Sequence, residues 1–336
     1  MAPANRLEER NTCTGLIMNK QRIKLLVFWG IGTIIVLLLM LELFLRCHYG
    51  LCDAVLMRAD DEYEYIAKPS QKRKRLGHTV IYNSQSMRNE ELLPDSLRIL
   101  CLGDSILNGG TITDQKHLAT SIMSSSLSDA LGAKVQVLNV SAGSWGPDNC
   151  LAWLKRHGDF GAKGIVLVVS SHDVHDTMTF VPVVGILKSY PSRQYPLAVL
   201  ELWDRYLFPQ SKVFSMTKDE IDDSFRKEHH IEATNVAFNP GFQGLLDYAN
   251  EHGLPFAIFL HATLFELNKG VYDADGQAII DFCQKNHIPL IQDLGHGLTR
   301  ECIYKNDYLH YSKEGHALMA KLLLPFCHET LIKEKR

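Results

Sequence analysis

The feature that most constrains the fold is an alternation of apolar runs with segments of helical periodicity, which begins at residue 98. The helical segments lie at roughly 116–131, 147–158, 241–252 and 275–286, with a last helix at about 313–334. The apolar runs are typical of buried parallel strands and occupy residues 98–103, 134–140, 164–170, 255–261 and 288–294. We therefore expect an α/β fold, a three-layer α/β/α sandwich around a five-stranded parallel sheet with flavodoxin-like topology.

In such a sheet, ligands and catalytic residues gather beyond the carboxyl ends of the strands. One stretch, residues 174–239, interrupts the alternation and is rich in aromatic residues and prolines before a charged segment. We interpret it as an insertion, partly helical. It either covers the site as a substrate-contacting lid or decorates the surface without touching ligand.

A run of 21 residues from Leu25 to Leu45 contains one ionisable side chain, Glu42. A helix needs about 20 apolar residues to cross the hydrocarbon core of a bilayer. A cleaved signal peptide would have a shorter apolar stretch and a small-residue cleavage site soon after it. Residues 25–45 are thus predicted to be a transmembrane anchor.

Basic residues flank this anchor unevenly. Those before it are Arg10, Lys20, Arg22 and Lys24, and those just after it are Arg46 and Arg58. The bias predicts a single-pass membrane protein with residues 1–24 in the cytoplasm and residues 46–336 outside it. Residues 46–97 are interpreted as a juxtamembrane spacer, polar and irregular from residue 57. Its basic run at 72–75 is either solvated or attracted to anionic lipid or glycan.

Net charge and cysteine spacing exclude several classes of protein. The formal net charge of −3 gives no indication of a nucleic-acid-binding surface. None of the eight cysteines forms a C-x-x-C motif, which excludes a zinc ribbon and a thioredoxin-type site. Seven cysteines follow the apolar run, and this odd number means that at least one is free or pairs between chains.

The tripeptide Gly-Asp-Ser at residues 103–105 ends the first predicted strand. Ser105 therefore lies at the edge of the sheet where chemistry is expected. A serine hydroxyl becomes a good nucleophile only when a base, usually a histidine oriented by an acid, removes its proton. Taken alone, the tripeptide is equally typical of a turn that ends a strand.

A candidate base and acid lie near the end of the chain. Asp307 and His310 are three residues apart, in the loop between the fifth predicted strand and the last helix. An irregular turn can hold such a pair so that the carboxylate accepts from one ring nitrogen while the other faces the site. This loop belongs to the same sheet edge as Ser105.

Acyl transfer also needs hydrogen-bond donors for the developing oxyanion. Gly143, after the second predicted strand, offers a backbone N–H with no side chain in the way, although a tight turn would explain this glycine equally well. His172, after the third predicted strand, offers a ring N–H.

The same loop has a second interpretation. His172, Asp173, His175 and Asp176 are residue types that ligate divalent metals. They come from one short loop with no partner cluster elsewhere in the sequence, so we expect no metal and no cofactor.

Four short blocks, taken in order, resemble the SGNH hydrolase superfamily of GDSL-type esterases. They are GDS at 103–105, the glycine of SAGSWG at 143, SSHD at 170–173 and DYLHYSKEGHALMA at 307–320. The resemblance covers residues 98–334, about seventy per cent of the chain. It implies a hydrolase domain at 98–336, interrupted by the insertion.

The resemblance implies Ser105 as nucleophile, His310 as general base and Asp307 as its orienting acid. It also implies an oxyanion hole made by the backbone N–H groups of Ser105 and Gly143 and by a side chain of the third block. There the family has G-x-N-D, whereas this chain has Ser170 and His172 in place of the glycine and asparagine. Imidazole can still donate a hydrogen bond.

Together these features predict a membrane-anchored serine ester hydrolase that works through an acyl-enzyme. The expected substrate is an acyl ester, carried on an extracytoplasmic glycan or a lipid. One alternative is an O-acyltransferase of a cell-envelope polysaccharide, or an accessory to a membrane acyltransferase partner. Another is a non-catalytic glycan-binding domain that keeps the fold.

Overall fold

The computed structural model describes residues 20–207 and 236–333. The chain divides into two units, Met1–Phe44 and Leu45–Arg336. In the first unit, helix α1 (Lys20–Phe44) exposes apolar side chains along its length. The stretch Gln21–Tyr49 is long and apolar enough to cross a membrane, with a mean hydropathy of 2.4. A signal sequence near an N-terminus meets the same two criteria.

The second unit opens with a π-helical turn at Leu45–Tyr49 and two antiparallel β-hairpins. The first hairpin joins β1 (Met57–Asp60) to β2 (Glu64–Ala67). The second joins β3 (Gln71–Arg75) to β4 (His78–Tyr82).

These hairpins correct the expectation that the chain is irregular from residue 57. The basic run at 72–75 is most of β3, in which Lys72 and Lys74 face solvent while the guanidinium of Arg75 is buried. Arg75 can be buried because it pairs with Glu201, which lies 126 residues further along the chain. No local pattern could have indicated that partner.

The central sheet follows from the continuous apolar runs and has five parallel strands. These are β5 (Leu97–Gly103), β6 (Val135–Ser141), β7 (Ile165–Ser170), β8 (Phe256–His261) and β9 (Leu290–Gln292). Their order is β6-β5-β7-β8-β9, which is flavodoxin-like. The α/β fold expected from the sequence is therefore confirmed, although β9 is shorter than the predicted 288–294.

Helices cover both faces of this sheet. They are α2 (Ser105–Asn108), α3 (Ala119–Leu131), α4 (Pro147–His157), α5 (Ala198–Leu202), α6 (Gly241–Glu251), α7 (Leu264–Lys269), α8 (Ala274–Lys285) and α9 (Lys313–Lys333). Alternate residues of β5 point to opposite sides, so that Leu100 packs with α4, α6 and α8, and Cys101 with α3 and α9. Two apolar cores thus sandwich the sheet in three layers.

The described part of the insertion packs against the first hairpin. Backbone N–H groups of Thr179 and Phe180 donate to the Glu64 carboxylate at 2.7 and 2.8 Å. The backbone N–H of Met57 donates to the carbonyl of Pro191 at 2.8 Å. The insertion is partly helical, as expected, with α5 followed by a π-helical turn at Trp203–Leu207. Its residues 208–235 lie outside the described part of the chain.

Candidate active site

Each residue of the Gly-Asp-Ser tripeptide has a distinct structural role. Gly103 ends β5 so close to β7 that a β-carbon there would lie 2.9 Å from the carbonyl oxygen of Val168. Asp104 is buried and caps α2, since its Oδ1 accepts from the backbone N–H of Ile106 at 2.8 Å. Ser105 is the first residue of α2, and its hydroxyl reaches the pocket at the carboxyl edge of the sheet.

The structure brings His310 to Ser105. Nε2 of His310 lies 2.9 Å from Oγ of Ser105, and Nδ1 of His310 lies 2.8 Å from Oδ2 of Asp307. The carboxylate fixes the tautomer, because Nδ1 must donate to it and Nε2 is then free to accept the serine proton. Nucleophile, base and acid thus form one hydrogen-bonded chain.

Asp307 is held as an anion by its own loop. Partial burial opposes ionisation, but backbone N–H groups of Leu309 and His310 donate to Oδ1 at 2.8 and 3.0 Å. These bonds, with the one from the His310 ring, keep the pKa of Asp307 below its usual value. A carboxylate that stays charged can stabilise the imidazolium that forms when His310 takes a proton.

A second histidine–carboxylate pair lies beneath this loop. Nδ1 of His261 is 2.5 Å from Oδ2 of Asp293, and Nε2 of His261 is 2.7 Å from the backbone carbonyl of Leu309. Tyr311 also donates its hydroxyl proton to Asp293. We did not predict this pair. The signal was present, since His261 and Asp293 follow the apolar parts of the fourth and fifth strand patterns.

Gly143 lies in the loop after β6 and is positioned by two tyrosines. The hydroxyls of Tyr65 and Tyr190 donate to its carbonyl oxygen at 2.8 and 3.2 Å. Among the described residues, the backbone N–H groups of Ser105 and Gly143 have no acceptor, and both residues line the same pocket. Two unused donors beside a nucleophile can receive an oxyanion.

Asn108 links the helix of the nucleophile to this loop. Its Nδ2 donates to the carbonyl oxygen of Ser141 at 3.0 Å, and its Oδ1 accepts from the hydroxyl of Tyr82 at 3.0 Å. Sequence reasoning missed Asn108 as well as both tyrosines. A polar residue three positions after Ser105, on the same short helix, was the available signal for Asn108.

His172 is placed differently from Gly143. Its Nδ1 lies 2.6 Å from Oγ of Ser170 and its Nε2 lies 3.6 Å from Oδ2 of Asp104, an oxygen that is 3.4 Å from Oγ of Ser105. Burial disfavours the charged ring, but Asp173 and Asp104 outweigh it and raise the pKa of His172 to about 10. Among the described residues that line the pocket of Ser105, His172 does not appear.

The predicted cluster of metal-type residues does not form a single group. His175 turns away from His172, and its Nε2 lies 3.1 Å from Oδ1 of Asp275. Ligand-type atoms of Asp104, His172 and Asp173 do lie within 4.8 Å of one another. A protonated His172 between two carboxylates already supplies positive charge there.

The pocket has a volume of about 500 Å³ and joins parts of the chain that are distant in sequence. Ser105, Asp307 and His310 line one side, with Gly143 beside them. The opposite wall includes Ala54, Val55 and Met57 near the first hairpin, and Ser189, Tyr190, Pro191 and Arg205 of the insertion. The described part of the insertion therefore lines the pocket.

No family model and no curated protein sequence matches the chain. Solved structures that it is similar to include a two-domain esterase active on acetylated mannans, at 13% identity and a TM-score of 0.41. The match covers 70% of this chain but only 50% of that one. Another is a lipase/acylhydrolase from Enterococcus faecalis, at 13% identity and a TM-score of 0.41, covering 69% and 96% of the two chains.

A third is a catalytic mutant of an acetylxylan esterase from Geobacillus stearothermophilus, at 12% identity and a TM-score of 0.40, covering 70% and 95%. At this level of likeness, the candidate site is defined by the chain's own residues. The four sequence blocks lie at the carboxyl edge of a flavodoxin-like sheet, in the chain order of the superfamily that they resemble. The chain thus has the α/β fold expected of an SGNH hydrolase.

Proposed function

We propose that the chain is a membrane-anchored serine ester hydrolase of the SGNH superfamily. One observation carries this proposal: the continuous hydrogen-bonded chain from Asp307 through His310 to the hydroxyl of Ser105 at a pocket. A serine within 2.9 Å of an oriented imidazole has the base that acyl transfer requires.

In the proposed reaction, Nε2 of His310 takes the proton of Ser105 as Oγ attacks the ester carbonyl carbon. The carbonyl oxygen becomes an oxyanion and accepts from the backbone N–H groups of Ser105 and Gly143. The imidazolium, stabilised by Asp307, then protonates the departing alcohol oxygen and leaves an acyl-enzyme. Water, deprotonated by His310, attacks the acyl carbon and releases the carboxylic acid and free Ser105.

We infer that the substrate is an O-acylated glycan or lipid on the extracytoplasmic side. Support comes from the apolar helix α1 and from the excess of basic residues before it. The pocket offers an apolar wall of Ala54, Val55 and Met57 opposite Ser105, which suits an acyl group or the apolar face of a sugar ring.

The test is covalent labelling of the full-length protein by a fluorophosphonate, which is attacked by an activated serine with loss of fluoride. Wild-type protein should label, Ser105→Ala should not, and Ser189→Ala should label as wild type does. Ser189 is a matched control because it lines the same pocket. Absence of wild-type labelling would contradict the proposal and favour a non-catalytic domain.

Hydrolysis and transfer are separated by a second measurement. A hydrolase releases acetate from p-nitrophenyl acetate at a steady rate without an added acceptor, and Ser105→Ala abolishes the release. If acyl-enzyme accumulates until a sugar acceptor is supplied, the activity is that of an O-acyltransferase.

A further inference from the structure

The helical segment formed by α5 and the following π-helical turn is amphipathic in the reverse sense. Its outward side chains are apolar or aromatic, recur about every three residues and are each about half exposed. They are Leu197, Leu200, Trp203, Tyr206 and Leu207. We call this set the outer face. In a surface helix that meets water, the exposed side would instead carry the polar residues.

The charged residues of the same helix point inward. Glu201 is fully buried, and its Oε1 lies 2.5 Å from Nη2 of Arg75 and 3.4 Å from Nε of Arg205. Its other oxygen accepts from the backbone N–H of Cys52 at 2.6 Å. Burying a carboxylate costs free energy unless it is paired, and these three partners supply the pairing. The outer face is therefore fixed outward by the network on its back.

The outer face lies beside the stretch that follows helix α1. Leu45 and Leu51 form a small apolar cluster with Ala198 of α5. Nη2 of Arg46 donates to the carbonyl of Pro196 at 2.8 Å. Leu45 is bonded to Phe44, the last residue of α1, and the candidate membrane span runs to Tyr49. If α1 crosses a bilayer, this part of the domain emerges at the bilayer surface.

Basic and apolar side chains of the second hairpin adjoin the same stretch. The backbone N–H of Leu76, at the turn after β3, donates to the carbonyl of Tyr49 at 2.9 Å. Leu76 is exposed, as are Lys72 and Lys74 on the outward side of β3. Lysines beside exposed leucines complement an anionic bilayer surface, where headgroup phosphates lie above acyl chains.

We propose that the outer face lies in the headgroup region of the bilayer that α1 crosses, with Lys72 and Lys74 directed to anionic lipid. Tryptophan and tyrosine favour this region because their rings are apolar at one end and polar at the other. The inference depends on α1 spanning a bilayer and is independent of esterase activity. It goes beyond anchoring, because the folded domain itself contacts lipid.

The four tryptophans provide a direct test. Trp29 belongs to α1, Trp145 and Trp153 are buried, and Trp203 belongs to the outer face. We would reconstitute full-length Trp29→Phe protein into vesicles of lipids brominated near the headgroup and measure tryptophan emission. We expect bromolipid to reduce the emission, and the reduction to vanish in Trp29→Phe/Trp203→Phe.

A matched control moves the reporter away from the outer face. Leu93 is exposed and precedes β5, at the amino edge of the sheet opposite the pocket. Trp29→Phe/Trp203→Phe/Leu93→Trp protein should be insensitive to bromolipid and quenched by aqueous acrylamide. Quenching of the wild-type Trp29 by bromolipid would show separately that α1 is inserted.

Two results would overturn the proposal when α1 is inserted. In the first, Trp203 is insensitive to bromolipid and as accessible to acrylamide in vesicles as in detergent. In the second, Trp203 is shielded from both quenchers, which would mean that residues 208–235 or a second copy of the chain cover the outer face.

Discussion

The molecule contains two histidine–aspartate pairs on adjacent layers, and they differ in what the second ring nitrogen meets. In His310–Asp307 that nitrogen faces the hydroxyl of Ser105, whereas in His261–Asp293 it faces the carbonyl of Leu309. The first pair is partly open to the pocket, and both side chains of the second are fully buried.

This difference separates a base from a support. A hydroxyl can give up its proton, so the ring of His310 can gain and lose charge during a reaction. A carbonyl only accepts, so His261 donates from both nitrogens and is held as an imidazolium against Asp293. The second pair fixes the backbone at Leu309, next to His310, and so positions the residue that does the chemistry.

The largest effect is expected for His310→Ala. Loss of the base should lower kcat for p-nitrophenyl acetate by roughly 10³–10⁶-fold, as for catalytic triads in general. The free energy of unfolding should change by less than about 1 kcal/mol, since a partly exposed pair contributes little to stability. Steady-state kinetics and urea denaturation would measure the two quantities. Unchanged hydrolysis would remove His310 from the mechanism.

His261→Gln and Asp293→Asn should reverse this profile. Breaking a fully buried ion pair typically costs about 3–5 kcal/mol of unfolding free energy. The loss of kcat in the surviving folded protein should be smaller than for His310→Ala, because Ser105 and His310 are both intact. Urea denaturation followed by kinetics on folded protein tests this. A drop in kcat as large as that of His310→Ala, with normal stability, would mean that His261 acts directly in catalysis.

The two pairs should also respond to pH in opposite directions. Burial opposes the charged form of His261, but Asp293 and the carbonyl of Leu309 raise its pKa above 6.5. Its stabilising contribution is complete below pH 6.5 and is lost as pH rises through the folded pKa. The stability difference between wild type and His261→Gln should therefore narrow at alkaline pH.

For Asp307, whose pKa is held below 3.8, the contribution is present above that pH and is lost as pH falls through the folded pKa. The stability difference between wild type and Asp307→Asn should therefore narrow at acid pH. Urea denaturation at a series of pH values measures both differences. If the His261→Gln difference grew with pH, the assignment of a charged His261 would be wrong.

The smallest effect is expected for His172→Asn, which restores the family's residue. Removing an oxyanion-hole donor usually lowers kcat by about 10²–10³-fold. Because the ring of His172 lies against Asp104 and Ser170, we expect a change of less than about tenfold. A loss of 10²-fold or more would return His172 to the oxyanion hole that the sequence comparison implied.

The sheet was predictable because both of its faces are buried, so each strand is a continuous apolar run that is visible in the sequence. The positions of Ser105 and His310 followed from the rule that parallel strands present their carboxyl ends at one edge. The strand order depended on pairing between distant segments, and only the family resemblance supplied it.

The rest of the candidate site depends on partners far apart in the chain. Tyr65 lies in a segment interpreted as spacer, yet its hydroxyl bonds to Gly143, 78 residues away. Arg75 belongs to a run that is typical of a solvated surface, and it is buried because Glu201 neutralises it. The departure at His172 was visible, but its contact with Asp104 depends on how two strand ends meet.

The separation of Ser105 from His310 has a consequence for biosynthesis. The two residues are 205 positions apart, so at 5–20 residues per second roughly 10–40 s pass between their emergence from the ribosome. During that interval the serine has no base, and a nascent chain that ends before His310 should be unreactive towards fluorophosphonate. Acquisition of the nucleophile's reactivity would thus report that the C-terminal part of the chain has been made and has docked.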